Sequence, residues 1–367
     1  MTARWVVAGG GTGGHVTPAL ALAERIRARG DEVLVMGGTR GLECRLVPQA
    51  GFELISLPAR QIAGTSRAAR LAALPAMAVA CAAAWRALGR RRTDLVVSVG
   101  GYASVPAVAA AVVRGVPVAL VEPNAVPGRA NRAAARFARR VFVGFEAAAA
   151  AFAGAGGPPV RAFGIPLRRS LVEAFRAAPP RRVPAPPYRL LVFGGSQGAH
   201  QINQALVEAA PGLGSASLEI FHQSGEADRE AVAAAYRAAG LRAEVVAFEP
   251  DMPARYRWAD LALCRSGAMT VAELALAGLP ALLVPYPFAA DDHQRANARA
   301  LSEAGAARLL DARPLTARAV AEAIAAAFAS PAELAEMGRR AAALARPDAA
   351  ERIVEDCAQL LPAAEAH

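Results

Sequence analysis

Arg4-Trp-Val-Val-Ala-Gly-Gly-Gly-Thr-Gly-Gly-His15 sets the terms on which this chain folds. Trp5–Ala8 is a short apolar run that suits a buried strand, and the glycines behind it suit only a tight turn. The Ala- and Leu-rich stretch after His15 reads as a helix. A strand, a glycine turn and a helix in that order open a βαβ unit of a parallel sheet. Glycines at this density let backbone N–H groups approach an anion or a sugar closely. A dinucleotide site would also need an acid about 20 residues on, at the end of the second strand. That strand ends Val35-Met36-Gly37-Gly38, without an acid, which disfavours NAD and FAD.

The same grammar recurs along the chain. Strands are expected at Arg4–Ala8, Glu32–Met36, Leu95–Val99, Pro117–Val121 and Arg140–Val143, then at Arg189–Phe193, Leu218–His222, Ala243–Phe248, Leu261–Cys264 and Ala281–Val284. Two further glycine loops follow strands: Ser98-Val-Gly-Gly-Tyr102 and Gly194-Gly-Ser-Gln-Gly-Ala199. Between the two runs lies Ala177-Ala-Pro-Pro-Arg-Arg-Val-Pro-Ala-Pro-Pro187, which suits neither a helix interior nor a central strand. The expected fold is therefore α/β: two Rossmann-like, doubly wound parallel-sheet domains facing across a cleft, with ligands at the carboxyl ends of the strands. The expected boundaries are 1–165, a Pro- and Arg-rich linker at 166–187, and 188–345.

The 367 residues are 54% hydrophobic and 20% charged, which excludes a disordered or fibrous chain. The net charge of +10 comes entirely from Arg, with no Lys, and it is unevenly spread. Residues 1–187 hold 25 Arg and 9 acids; residues 188–367 hold 16 Arg and 22 acids. The basic half should favour an anionic partner. Seven Arg (60, 67, 70, 86, 90, 91, 92) surround Leu71, Leu74, Met77, Val79 and Trp85. Arg129, Arg132, Arg136, Arg139 and Arg140 recur at helical spacing. Apolar residues rimmed by Arg suit an anionic membrane leaflet, and few aromatics interleave with the Arg as nucleic-acid binding would require. The alternative is an ordinary solvated Arg-rich helix. Leu71–Trp85, the longest uncharged run, contains Pro75 and is shorter than the roughly 20 residues that span a bilayer. Cys44, Cys81, Cys264 and Cys357 are far apart and read as reduced, mostly buried thiols of a cytoplasmic protein.

GGGTGGH (9–15), SVGGY (98–102), EPNAVPG (122–128), GGSQGAHQIN (194–203), HQSG (222–225), FEPDM (248–252), ADLALCRSGAMTVAEL (259–274), GLPALLVP (278–285) and DDHQRANA (291–298) follow one another in order. Together they resemble the MurG family of glycosyltransferases over essentially the whole chain. The resemblance implies a GT-B fold, with the acceptor held mainly by the first domain, the donor mainly by the second, and helix 346–361 packed back on the first. It implies inverting transfer of GlcNAc from UDP-GlcNAc to the C4 hydroxyl of MurNAc in undecaprenyl-pyrophosphoryl-MurNAc-pentapeptide (lipid I). The products would be lipid II and UDP, made at the cytoplasmic face of the cell membrane by a peripheral protein. The runner-up is a GT-B enzyme with another lipid or natural-product acceptor.

The resemblance also places site residues. Thr12, Gly13 and Gly14 close over the donor, Asn124 meets the sugar, and Ser196 meets the phosphates. Ala268, Met269, Thr270, Val271, Ala272 and Glu273 form the donor segment, with Glu273 on the ribose hydroxyls. Gln294 and Asn297 read the GlcNAc hydroxyls, and position 249, here Glu249, offers backbone atoms to uracil. Arg168 is carried over to the leaving diphosphate from a motif that here reads Gly164-Ile165-Pro166-Leu167-Arg168, with Arg169 a competitor. Gly100, Gly101 and Tyr102 fall on the acceptor side. His15 begins a helix, where the positive end of the dipole disfavours imidazolium and keeps the ring able to accept a proton. It is the candidate general base, or else a donor contact that orders the loop. The ten Asp include no pair spaced i, i+2, so no metal is clearly required and no other cofactor is expected. Helix N-termini, loop N–H groups and Arg would then stabilise the leaving UDP.

Overall fold

The strand at Arg4 has neighbours on both sides, and its side chains alternate between two apolar layers. In this computed structural model, which describes residues 2–59, 67–154, 157–176, 179, 181–195, 198–213 and 217–362 (backbone alone at 67–73), the chain forms two units. One is Met1–Ser170 with the segment from Arg346 onward; the other is Leu171–Ala345.

Unit 1 runs β1 (Arg4–Gly9), α1 (Gly13–Ala28), β2 (Glu32–Gly38), α2 (Glu43–Gln49), β3 (Leu54–Leu57), α3 (Arg67–Arg90), β4 (Leu95–Gly100), α4 (Val105–Arg114), β5 (Val118–Glu122), α5 (Arg129–Ala134), β6 (Arg140–Val143) and β7 (Val160–Arg161). Its sheet has the order β3-β2-β1-β4-β5-β6-β7, parallel throughout, with Val7 beside Val35 and Val97. Trp5 and Val7 face the layer of Leu22 and Ile26, whereas Val6 and Ala8 face that of Ala84, Leu88 and Ala111. A strand covered on both faces must be apolar at every position, as this one is.

The chain continues as α6 (Arg169–Arg176), β8 (Tyr188–Phe193), α7 (His200–Leu213), β9 (Leu218–Gln223), α8 (Arg229–Ala238), β10 (Arg242–Val246), α9 (Met252–Trp258), β11 (Leu261–Cys264), α10 (Ala268–Ala277), β12 (Ala281–Leu283), α11 (His293–Glu303), β13 (Ala307–Leu309), α12 (Ala317–Phe328), α13 (Pro331–Ala343) and α14 (Ala349–Ala358). The second sheet has the order β10-β9-β8-β11-β12-β13, again all parallel. Both halves are thus Rossmann-like units, as expected.

The differences from expectation lie at edges and in the linker. Strands β3, β7 and β13 went unpredicted; each has two to four residues and lies at a sheet edge, where pairing with one neighbour rather than a hydrophobic run defines it. Strand β10 ends at Val246 instead of Phe248; it too is an edge, and Phe248 is exposed. The segment 166–187 contains α6, which buries Leu171 and Val172. Beyond α6, Arg181 donates to the carbonyls of Tyr256, Ala277 and Ala259, so the Pro-rich stretch is pinned to unit 2 rather than free. Of the cysteines, Cys264 and Cys357 are buried, Cys81 is half-buried and Cys44 is exposed. Among the described residues no helix is long and apolar enough to cross a membrane.

Helix α14 belongs to unit 1. Ile353, Val354 and Cys357 join Trp5, Ala19 and Phe142 in one core, and Asp356 takes Arg140 at 3.0 Å and Arg161 at 3.3 Å. Removing three buried carbons here should leave a cavity that the sheet cannot close. Ile353→Ala is expected to lower the stability of unit 1 by roughly 2–5 kcal/mol, read as an earlier midpoint in denaturant unfolding.

Candidate functional site

In unit 1 the direction of the crossovers reverses between β1 and β4, the position at which open parallel sheets hold ligands. The loops leaving these strands touch. Gly101 has φ 80°, and a Cβ there would stand 2.8 Å from the Gly10 carbonyl oxygen and 3.4 Å from His15 Nδ1. Only glycine lets the loops close to this distance, and the closure lays the His15 imidazole against the second loop. Thr12 is extended and precedes the first turn of α1; its Oγ1 lies 3.1 Å from His15 Nδ1. Gly13 and Gly14 occupy that turn, where helix geometry leaves N–H groups without intrahelical acceptors. The structure therefore brings Thr12, Gly13, Gly14, His15, Gly100 and Gly101 together. The Tyr102 ring covers Gly11, and burial, with Glu43 nearby, raises its phenol above the ordinary range, so it stays a donor.

The loop after β5 joins the same end of the sheet. Asn124 donates through its backbone N (2.9 Å) and Nδ2 (3.2 Å) to Glu122, whose other oxygen accepts from Gly128 N at 2.9 Å and Asn131 Nδ2 at 3.0 Å. Asn131 lies beneath Gly100, where a Cβ would be 2.9 Å from its Nδ2. Glu122 and Asn131 were missed by sequence reasoning. The signal was present: an acid ending a buried apolar strand needs donors, and the next nine residues supply them.

Arg168 stands elsewhere in unit 1. Glu24 of α1 accepts from its Nε at 2.6 Å and from Arg169 N at 3.1 Å. The charge meant for a leaving diphosphate is already paired in this structure. The second Arg cluster is likewise not one helical face. Arg129 and Arg132 lie on α5, Arg136 on the following 3₁₀ turn, Arg139 outside both, and Arg140 opens β6 against Asp356, because Arg140–Val143 is claimed by the sheet.

Unit 2 repeats the design at β8 and β11, its own reversal point. Ser196 lies outside the described residues. The rest of its loop is held from below: Gln223 Nε2 donates to Gly195 O at 2.8 Å, and a Cβ on Gly198 would overlap the Ser224 carbonyl. Asn203 donates to Ser224 O (2.8 Å) and Asp228 (2.7 Å), and its Oδ1 lies 3.0 Å from His222 Nε2. Tyr236 lies 3.0 Å from the other nitrogen of His222. Burial drives the His222 pKa down to about 3, so this ring is a neutral brace for the loop and not a base.

The donor segment and its expected readers also meet. Ala268, Met269 and Thr270 form the first turn of α10, with N–H groups that the helix does not use. Val271 is buried, and Ala272 and Glu273 follow on the same helix. Ser266 donates to Gln294 O at 2.8 Å and accepts, through its carbonyl, from buried Asn297 Nδ2 at 3.1 Å. Gln294 Oε1 accepts from Tyr286 N at 3.0 Å. Glu249 turns its side chain inward, to Asp251 N at 2.8 Å and Arg255 Nε at 2.7 Å. Tyr256 Oη donates to Glu273 at 2.7 Å, a support that sequence reasoning did not find.

Comparison with known proteins places this architecture. Residues 5–143 match the glycosyltransferase family 28 N-terminal domain and residues 189–353 its C-terminal domain. The chain is 43% identical to the UDP-N-acetylglucosamine--N-acetylmuramyl-(pentapeptide) pyrophosphoryl-undecaprenol N-acetylglucosamine transferase of Anaeromyxobacter sp. strain Fw109-5, over 98% of this chain and 93% of that one. It is similar to the crystal structure of Acinetobacter baumannii MurG, with TM-score 0.77 and 30% identity, over 98% of this chain and all of the other. A kitacinnamycin glycotransferase, at TM-score 0.70 and 18% identity over 99% of this chain and all of its own, shares the fold.

Burial raises the Glu273 pKa to about 7 from 4.5, with the Tyr256 hydrogen bond opposing the shift. A raised carboxyl stabilises the fold while protonated; that contribution is full below about pH 4.5 and is lost as pH rises through about 7. The melting midpoint of the wild type should therefore fall between pH 4.5 and 7.5 relative to Glu273→Gln, and parallel curves would refute the shift.

Proposed function

The chain belongs to glycosyltransferase family 28, in its MurG group, and we infer that it transfers GlcNAc from UDP-GlcNAc to the MurNAc C4 hydroxyl of lipid I, giving lipid II and UDP in peptidoglycan synthesis. The observation that carries this reading is the full-length similarity to a transferase of that name, at 43% identity. The placement of His15 against Gly101 supports it.

The transfer forms a bond between the acceptor oxygen and the anomeric carbon and breaks the bond from that carbon to the UDP phosphate. His15 Nε2 takes the acceptor proton. For this the proton on the neutral ring must sit on Nδ1, and Thr12 Oγ1 is placed to accept it. The departing diphosphate carries the negative charge, which N–H groups of the glycine loops and helix starts neutralise without a bound metal. Arg168 takes no part unless it leaves Glu24. Glu273 as a carboxylate accepts from the ribose hydroxyls; Gln294 meets the sugar, and Asn297, fully buried here on the Ser266 carbonyl, supports the frame they share. The inward turn of Glu249 leaves its backbone for uracil.

The lipid acceptor calls for a membrane surface, and α3 supplies one. Leu74, Val79 and Trp85 are exposed, as are Arg86, Arg90, Arg91 and Arg92 at its end. Arg114 stacks on Trp85 at 4.3 Å and brings exposed Val113 of α4 alongside. A groove of about 400 Å³ between Ile55, Ala83 and Ala87 is rimmed by Arg86, Arg90 and Arg91. Each Arg near an anionic leaflet contributes about 1 kcal/mol, so this face adsorbs without a spanning helix. Arg60, which the sequence groups with this patch, lies outside the described residues, as do the side chains of Arg67, Arg70 and Leu71.

Incubation with radiolabelled UDP-GlcNAc and a lipid I analogue should yield a labelled disaccharide lipid; no product with a competent acceptor refutes the assignment. Replacing Arg86, Arg90, Arg91 and Arg92 by Gln should weaken sedimentation with phosphatidylglycerol vesicles while transfer to a soluble acceptor analogue persists. Unchanged sedimentation removes the patch from the membrane face.

A further inference from the structure

We propose that Glu43 is a positioning residue for the transfer: it clamps the first glycine loop, and with it His15, to the end of β2. The proposal rests on the reading of His15 as the base. Glu43 is fully buried at the start of α2. One carboxylate oxygen accepts from Gly11 N at 2.9 Å and the other from Gly38 N at 2.8 Å. Both donors are backbone amides, not cations. A carboxylate taken out of water without a cation is costly, and it persists only where its lone pairs are well met.

The surroundings are shaped to that one side chain. A Cβ on Gly37 would stand 2.7 Å from Glu43 Cγ, one on Gly38 3.0 Å from its Oε1, and one on Gly10 or Gly41 would overlap the carboxylate. The Gly38 position also faces Tyr102 Oη at 3.3 Å, so the loop after β4 closes over the same clamp. The chain leaving β1, β2 and β4 thus converges on a buried acid that no reacting group needs to touch. Gly11 directly precedes Thr12 and is the link between β1 and the turn that carries His15. Releasing Gly11 N would free that turn, and a displacement near 1 Å at a reacting group costs on the order of a hundredfold in rate.

Glu43→Gln is the same size but puts an NH₂ donor against one of two N–H donors, so it breaks the clamp without opening a cavity. We expect kcat to fall about tenfold to a hundredfold. The UDP dissociation constant by calorimetry, which reports on unit 2, should stay within about twofold, since Glu43 lies in unit 1. In a His15→Ala background the same change should cost less than about threefold, because it acts through a side chain already gone. Gly37→Ala, which presses on the Glu43 stem with the carboxylate intact, should give the same split. Wild-type kcat in folded Glu43→Gln or Gly37→Ala overturns the proposal, as does a loss that multiplies in full with His15→Ala. If His15→Ala alone keeps its kcat, the assignment of the base falls, and Glu43 is judged on the drop in its own kcat.

Discussion

The carbonyl oxygen of Gly10 leaves no room for a side chain at position 101, and much of unit 1 depends on that closeness. A parallel sheet delivers every strand end to one side, but strand ends alone make only a row of turns. At the reversal between β1 and β4 two turns can face each other, and glycines with positive φ let their backbones meet. His15 then packs against the backbone of the second loop, with Thr12 Oγ1 at 3.1 Å from its Nδ1, and these contacts fix the ring. The rest of the frame serves this contact: Glu122 and Asn131 support Gly100 from one side, and Glu43 holds Gly11 from the other.

Unit 2 meets the same geometric problem with other chemistry. Its glycine loop is braced by Asn203, His222, Gln223 and Ser224, uncharged groups packed beneath its backbone. Burial keeps His222 neutral far below the pH at which an exposed histidine ionises, although Asp228, which takes Asn203 Nδ2 at 2.7 Å, lies near it. The acids of unit 2 are met by donors of the protein itself: Glu273 by Tyr256 Oη, Glu249 by Asp251 N and Arg255 Nε, and Asp228 by Asn203 Nδ2.

Glycine motifs, central strands and the two-unit plan were legible in the sequence because each reflects a local constraint: a turn that excludes Cβ, or a strand buried on both faces. The supports were not, because they join residues far apart in the chain. Nothing near Arg168 announces Glu24, 144 positions earlier, and nothing near Arg140 announces Asp356. The edge strands failed for a related reason, since a three-residue strand such as β13 exists by virtue of the neighbour that pairs with it. Glu122 and Glu43 stand between these cases. Glu122 ends an apolar strand, and Glu43 follows one beside Gly37, Gly38 and Gly41; both patterns announce a buried carboxylate needing donors, though not which loop it will hold.

The charge asymmetry changes meaning once the chain is divided as it folds. Cut at residue 187, the halves carry +16 and −6. But the segment from Arg346 onward returns to unit 1 with 2 Arg and 5 acids, and the residues through Ser170 hold 22 Arg and 8 acids. Unit 1 is then +11 and unit 2, with 17 Arg and 18 acids, is −1. The returning acids are spent on structure: Asp356 on Arg140 and Arg161, Glu351 on Arg25. Of what remains on unit 1, Arg86, Arg90 and Arg92 stand exposed at the end of α3, and Arg129, Arg132, Arg136 and Arg139 stand exposed after β5. Unit 2, close to neutral, exerts no net field on an anion, so a diphosphate held there would owe its affinity to amides aimed at short range, which are screened by salt far less than a diffuse field would be.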